Sequence, residues 1–129
     1  RVLRESEFLA LCVPRPPETR GMIGKRELSL LKPGSYLINT SRGGIVDEDA
    51  LFRVLSAGGI AGAAMDVFVV EPPPADHPLL TLRNFVATPH VAGATVEAMR
   101  RMATDLAEEV LRVLRGERPL YPVNPEVYR

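Results

Sequence analysis

Apolar positions along this chain fall into short runs without polar alternation, separated by stretches with helical spacing, and the rhythm predicts strands and helices in turn. The run from Phe8 to Val13 suits a strand covered on both faces, as in a parallel sheet, and Pro14 ends it. A brief helix is expected over 25–31, closed by the Lys32-Pro33-Gly34 breaker, followed by a second strand over Ser35–Asn39. Asp47 is placed as the N-cap of a helix running to about Ala57, with Ala50, Leu51, Val54 and Leu55 on its apolar face and Gly58-Gly59 stopping it. Ile60–Met65 reads as a third strand and Asn84–Ala87 as a short fourth. Between them, Pro72, Pro73 and Pro74 all lack an amide donor, so the segment opening at Glu71 is expected to be a stiff loop. From Thr95 onward, Met99, Met102, Ala103, Leu106, Val110 and Leu114 recur at helical spacing, and Gly116 stands where a left-handed cap belongs. The tail around Leu120 and Tyr121 is expected to be extended and to lie against another surface.

Strands alternating with helical connections predict an α/β fold of about four parallel strands with flanking helices and a long C-terminal helix. In open parallel sheets the ligand crevice lies outside the carboxyl ends of the strands. Attention therefore falls on the residues just past each strand: Val13 after the first, Thr40 to Gly44 after the second, Asp66 at the end of the third, and Pro89-His90 after the fourth.

Composition narrows the function classes. With 129 residues, 46% apolar and 25% charged, the chain is expected to form one globular domain, and 16 basic against 16 acidic residues leave no cationic track for a nucleic acid. No apolar stretch approaches the roughly 20 residues of a membrane span, and the opening residues are unlike a secretion signal, so no membrane partner and a cytoplasmic location are expected. A start that lacks Met and resembles the tail of a helix is expected to be partway along a longer protein. No metal site is expected. Cys12, the single cysteine, is expected to be a small buried thiol, and His77 an exposed loop residue.

The strand-end residues supply chemistry. Arg42 offers a planar fork of donors that matches a carboxylate, and Gly43 and Gly44 after it permit a sharp turn and a close approach. His90, before a helix start, suits general acid/base work, and a rigid loop can aim the Glu71 carboxylate at a nearby ring. The glycines of Gly58-Gly59-Ile60-Ala61-Gly62 imitate a dinucleotide fingerprint, but they precede a strand where a phosphate-binding turn must follow one.

The segments Leu37–Leu51, Ala63–Pro72 and Thr88–Thr95 closely resemble the signature stretches of NAD(P)-dependent D-isomer-specific 2-hydroxyacid dehydrogenases, including phosphoglycerate dehydrogenases and glyoxylate/hydroxypyruvate reductases. The similarity runs from Phe8 to the end of the chain. It implies the second half of a Rossmann-like doubly wound sheet: 1–129 would be a partial NAD(P)-binding domain without the Gly-rich fingerprint half, and the substrate domain would lie outside this sequence. It further implies that Arg42 binds the carboxylate of a small 2-oxo or 2-hydroxy acid, that His90 is the acid/base, and that Glu71 orients and charges His90. Val13, Thr40, Arg42, Asp66, His90 and Gly93 resemble positions that line NAD or NADP, with Asp66 near the nicotinamide. Arg15-Pro16 after Pro14 departs from the family's usual apolar residue followed by Thr or Ser. A homodimer is implied for the full-length protein, and the fragment is expected to be inactive alone. Two alternatives remain open at this point: an NAD(H)-responsive interaction protein of the corepressor kind, and an inactive truncated product.

Overall fold

A computed structural model describes residues 1–14 and 16–128, so the expected departure at Arg15 lies outside the described residues. The chain forms two compact units, Arg1–Ala92 and Gly93–Arg129.

In the first unit, α1 (Val2–Glu5) leads into β1 (Phe8–Leu11), then α2 (Lys25–Leu28), β2 (Tyr36–Asn39), α3 (Glu48–Ser56), β3 (Gly62–Met65) and β4 (Phe85–Ala87). Among the described residues these four strands make one sheet in chain order, every pair parallel. The register aligns Leu11, Asn39, Met65 and Ala87 in one row at the carboxyl ends. One step past that row the chain leaves the sheet at Cys12, Thr40, Asp66 and Thr88, so one rim collects the residues that the sequence singled out. This is the Rossmann-like α/β arrangement expected.

The helix α3 forms where its caps allow. The Asp47 carboxylate accepts from the Ala50 amide at 2.9 Å, Glu48 and Asp49 complement the dipole in the first turn, and Gly58 beyond its end adopts φ 67°. Its buried residues Ala50, Leu51 and Leu55 join Leu37, Ile60, Met65 and Leu79 in the core. Each fully buried Leu or Ile there contributes about 1.5–3 kcal/mol over leaving it in water.

Within the first unit β1 is covered on one face only, and here the structure departs from expectation. Along β1, Leu9 and Leu11 are buried while Phe8 and Ala10 are exposed, and Phe8 stacks on Tyr36 with centroids 5.3 Å apart. Crossovers of one hand that always advance in the same direction along a sheet lie on the same side of it, so strands in chain order gather their connections on one face. Cys12 corrects a second expectation: it is exposed, because it shares the parity of Phe8 and Ala10 instead of that of Leu9 and Leu11.

In the second unit, α4 (Val96–Leu114) begins at Thr95, whose hydroxyl accepts from the Ala98 amide at 3.1 Å, and Gly116 closes it at φ 76°. None of its residues is buried, and Met99, Met102 and Leu106 are more than half exposed. The tail is fastened through its backbone, the Leu120 amide donating to Glu109 at 2.8 Å, while the Tyr121 ring stays open to solvent. Among the described residues no helix is long and apolar enough to cross a membrane.

Candidate active site

Arg42 sits in a turn that the surrounding chain holds from below. The buried side chain of Asn39 donates to the Arg42 carbonyl at 3.1 Å and accepts from the Ser41 amide at 3.1 Å, bridging the ends of the turn. The Ser41 hydroxyl donates to the Leu11 carbonyl and accepts from the Val13 amide at 3.2 Å, which ties the ends of β1 and β2 together. Gly44 completes the turn at φ 78°. The guanidinium is mostly solvent-facing, and its Nη1 donates to the Ser41 carbonyl at 2.7 Å. Val13, Thr40 and Arg42 line one depression on the rim, together with Cys12 and Ser41.

The second glycine contact differs from the expectation of room for a ligand. A Cβ on Gly43 would lie 1.8 Å from the Phe68 carbonyl oxygen. Gly43 therefore admits not a small molecule but the backbone of the loop that carries Glu71.

Asp66, Glu71, Thr88 and His90 line a second depression, at the ends of β3 and β4. The Glu71 Oε2 meets His90 Nδ1 at 2.7 Å, and its Oε1 accepts from the Phe68 amide at 2.9 Å. The bond to His90, then the Phe68 amide, hold the Glu71 carboxyl below the ordinary carboxylate range against partial burial and the neighbouring Asp66 charge. Ionised Glu71 can only accept, so Nδ1 carries the hydrogen and Nε2 is the ring nitrogen left to exchange a proton. Among the described residues no bond engages that Nε2.

Asp66 is 3% exposed, and its carboxylate is fully committed. Oδ1 accepts from the Thr88 hydroxyl at 2.5 Å and the Val91 amide at 2.9 Å, and Oδ2 from the Ala92 amide at 2.8 Å. Burial pushes this carboxyl up, but the Thr88 hydroxyl, the two amides and His90 outweigh it, and the net shift is downward. The same bonds close a turn in which His90 adopts φ 55° and donates its amide to the Asp66 carbonyl at 2.9 Å. A non-glycine residue in that region is held there by its surroundings, and here the holder is Asp66. Gly93 belongs to the second unit, where it is exposed.

His77 departs from the expectation of an exposed loop residue. It is largely buried: Nε2 bonds Glu48 at 3.2 Å and Nδ1 accepts from the Leu79 amide at 3.3 Å. Its pairing with Glu48 spans 29 positions, and no local pattern announces it. Asn39, by contrast, was legible in principle: it shares the inward parity of Leu37, and a polar side chain at such a position requires partners. Among the described residues no cluster suited to a metal ion occurs.

Residues 1–92 match the model of the family described as D-isomer specific 2-hydroxyacid dehydrogenase, NAD binding domain. The chain is 47% identical, over its whole length, to the glyoxylate reductase of Korarchaeum cryptofilum, of which it spans 39%. It is 45% identical over 88% of its length to the D-3-phosphoglycerate dehydrogenase of Methanocaldococcus jannaschii, spanning 22% of that protein. Among solved structures, the NAD-complexed D-isomer specific 2-hydroxyacid dehydrogenase of Lactobacillus delbrueckii ssp. bulgaricus superposes with a TM-score of 0.88 at 34% identity, covering 95% of this chain and 41% of that one.

Proposed function

Since the chain belongs to the D-isomer specific 2-hydroxyacid dehydrogenase family through its NAD-binding domain, we propose that the full-length protein reduces a small 2-oxo acid to the 2-hydroxy acid and catalyses the reverse. The observation that carries this reading is the Glu71–His90 pair at 2.7 Å, which leaves one imidazole nitrogen for proton exchange on the same rim as Arg42.

The residues at hand fit the nicotinamide end of NAD or NADP. Val13, Thr40 and Arg42 line one depression at the strand ends, and Asp66 and His90 line another. The sequence holds no Gly-rich turn for the pyrophosphate. The bound nicotinamide supplies the hydride that reduces C2.

Each remaining requirement falls to a side chain. The Arg42 guanidinium binds the substrate carboxylate through paired donors and fixes the orientation of the 2-oxo group. As charge develops on the carbonyl oxygen, the imidazolium of His90 delivers the Nε2 proton to it, and in the reverse direction neutral His90 takes that proton back. Ionised Glu71 accepts from Nδ1 and fixes the ring. A carboxylate on both oxygens of which the chain has a hold is a rigid partner, and a rigid partner keeps the acid aimed.

We further propose that this chain is one part of an NAD(P)-binding domain, and that the full-length protein is a cytoplasmic homodimer, as the family resemblance implies. Taken alone, the 129 residues are expected to bind NADH weakly and to turn over no substrate, and equilibrium dialysis checks this: micromolar affinity would contradict it. The activity itself is tested by following oxidation of NADH and NADPH by the full-length protein with glyoxylate, hydroxypyruvate and pyruvate. Turnover of at least one is expected, abolished in His90→Gln. Turnover of none, by protein that binds the reduced cofactor, would overturn the reading.

A further inference from the structure

We propose that Glu48 and His77 are positioning residues for the acid/base pair: one carboxylate at the start of α3 fastens both ends of the loop that aims Glu71 at His90. The inference rests on the reading of Glu71 and His90 given above, but its geometry is independent of it.

The loop leaves β3 through Val67 and Phe68 and ends at His77, before the 3-10 turn Pro78–Thr81. At its entry the Val69 amide donates to Glu48 Oε1 at 2.7 Å. At its exit His77 Nε2 donates to Glu48 Oε2 at 3.2 Å. The tautomer follows from the other nitrogen: Nδ1 accepts from the Leu79 amide, so the hydrogen is on Nε2. Both oxygens of a single side chain thus staple the two ends of one loop.

The staple matters because of what lies beside it. The Phe68 amide is a direct donor to Glu71, and the next amide along, that of Val69, is the one Glu48 holds. The Phe68 ring stands edge-on between His77, with centroids at 5.5 Å, and Phe85 at 6.3 Å. Val69 and Val70 are exposed and contribute little packing of their own. The same short stretch touches Gly43, beside Arg42. Loss of the staple frees the segment that sets Glu71 against His90, and a displacement near 1 Å at a catalytic contact costs on the order of a hundredfold in rate.

The test uses the full-length protein with Glu48→Ala, His77→Ala, the double variant, His77→Gln and, as a core truncation that matches for lost stability, Leu28→Ala. One readout is free of turnover: the downfield proton resonance of His90 Nδ1–H, assigned by its absence in His90→Gln and its displacement in Glu71→Gln. We expect this resonance to move upfield and broaden in Glu48→Ala and His77→Ala and to stay in place in Leu28→Ala. Turnover should fall about tenfold or more in kcat with KM for the 2-oxo acid little changed, and the double variant should be no worse than either single, as members of one unit behave. His77→Gln keeps a donor for Glu48 and should recover most of the loss. An unmoved resonance in both alanine variants, or an equal movement in Leu28→Ala, would overturn the proposal. If wild-type protein turns over no 2-oxo acid, the resonance still decides the staple, and only the functional reading fails.

Discussion

The molecule carries two histidines, and each is paired with a glutamate, yet the two pairs are built for different ends. At His77 both ring nitrogens are engaged, and the ring and its Glu48 partner are 16% and 15% exposed. At His90 one nitrogen is engaged among the described residues, the contact to Glu71 is shorter at 2.7 Å, and the side chains are 49% and 36% exposed. The first is a strut, because a ring with no spare nitrogen has nothing to offer a substrate. The second keeps an orienting partner and a free nitrogen, which is the minimum for moving a proton. The identity of a His–Glu pair therefore says less than the count of its unspent atoms.

Replacing the two rings separates these roles most sharply. His90→Gln should lower kcat for reduction about 10²–10⁴-fold, the range assigned to a positioned general acid. His77→Gln should cost far less, because its nitrogen bears only on the loop. Equal losses would erase the distinction, and steady-state rates of the full-length protein measure it. Next in size, Arg42→Ala removes a charge-assisted contact worth about 1.5–3 kcal/mol in all, and KM for the 2-oxo acid should rise about tenfold to a hundredfold. A change confined to kcat would show that Arg42 does not hold the substrate's carboxylate.

Gly43→Ala tests whether the Arg42 turn and the Glu71 loop are locked together. A Cβ at 1.8 Å from the Phe68 carbonyl oxygen must push the loop away, and overpacking of that kind costs about 1–3 kcal/mol. Thermal melts should show the loss, with kcat falling alongside, and an unaltered Tm would mean the two segments part freely. The smallest effect concerns acid. Glu71 and Asp66 both titrate lower in the folded protein than when unfolded, so the stability they contribute is present above the ordinary carboxylate range. It is lost as pH falls through their lowered folded values. Glu71→Gln should flatten that acid decline in urea denaturation, and an identical decline would assign it elsewhere.

Much of this was legible from residue order. The strands beginning near Phe8, Tyr36, Gly62 and Phe85 follow from apolar runs and breakers, and their parallel pairing follows from the helices between them. Arg42, Asp66 and His90 stood out because parallel sheets present ligands to the carboxyl ends of their strands. Misreadings came where parity or distance decided. Cys12 is one residue out of phase with Leu9 and Leu11, and a run of unbroken apolarity hid that phase. His77 depends on a partner 29 positions away, and Gly43 on a carbonyl contributed by a different loop, contacts that only the folded chain brings about. The place of Asp66 at a strand end is plain in the sequence, but its hold on the Thr88, Val91 and Ala92 turn emerges only once β3 and β4 lie side by side.

The most direct measurement is kcat for 2-oxo acid reduction by the full-length protein, compared with Glu71→Ala. The Glu71 carboxylate holds the His90 ring through Nδ1 and leaves Nε2 for the substrate, so removing it should release the acid from its aim. In the variant kcat is expected to fall about tenfold or more while reduced cofactor still binds. An unchanged kcat would contradict this, because Glu71 would then be a neighbour of His90 without influence on its chemistry.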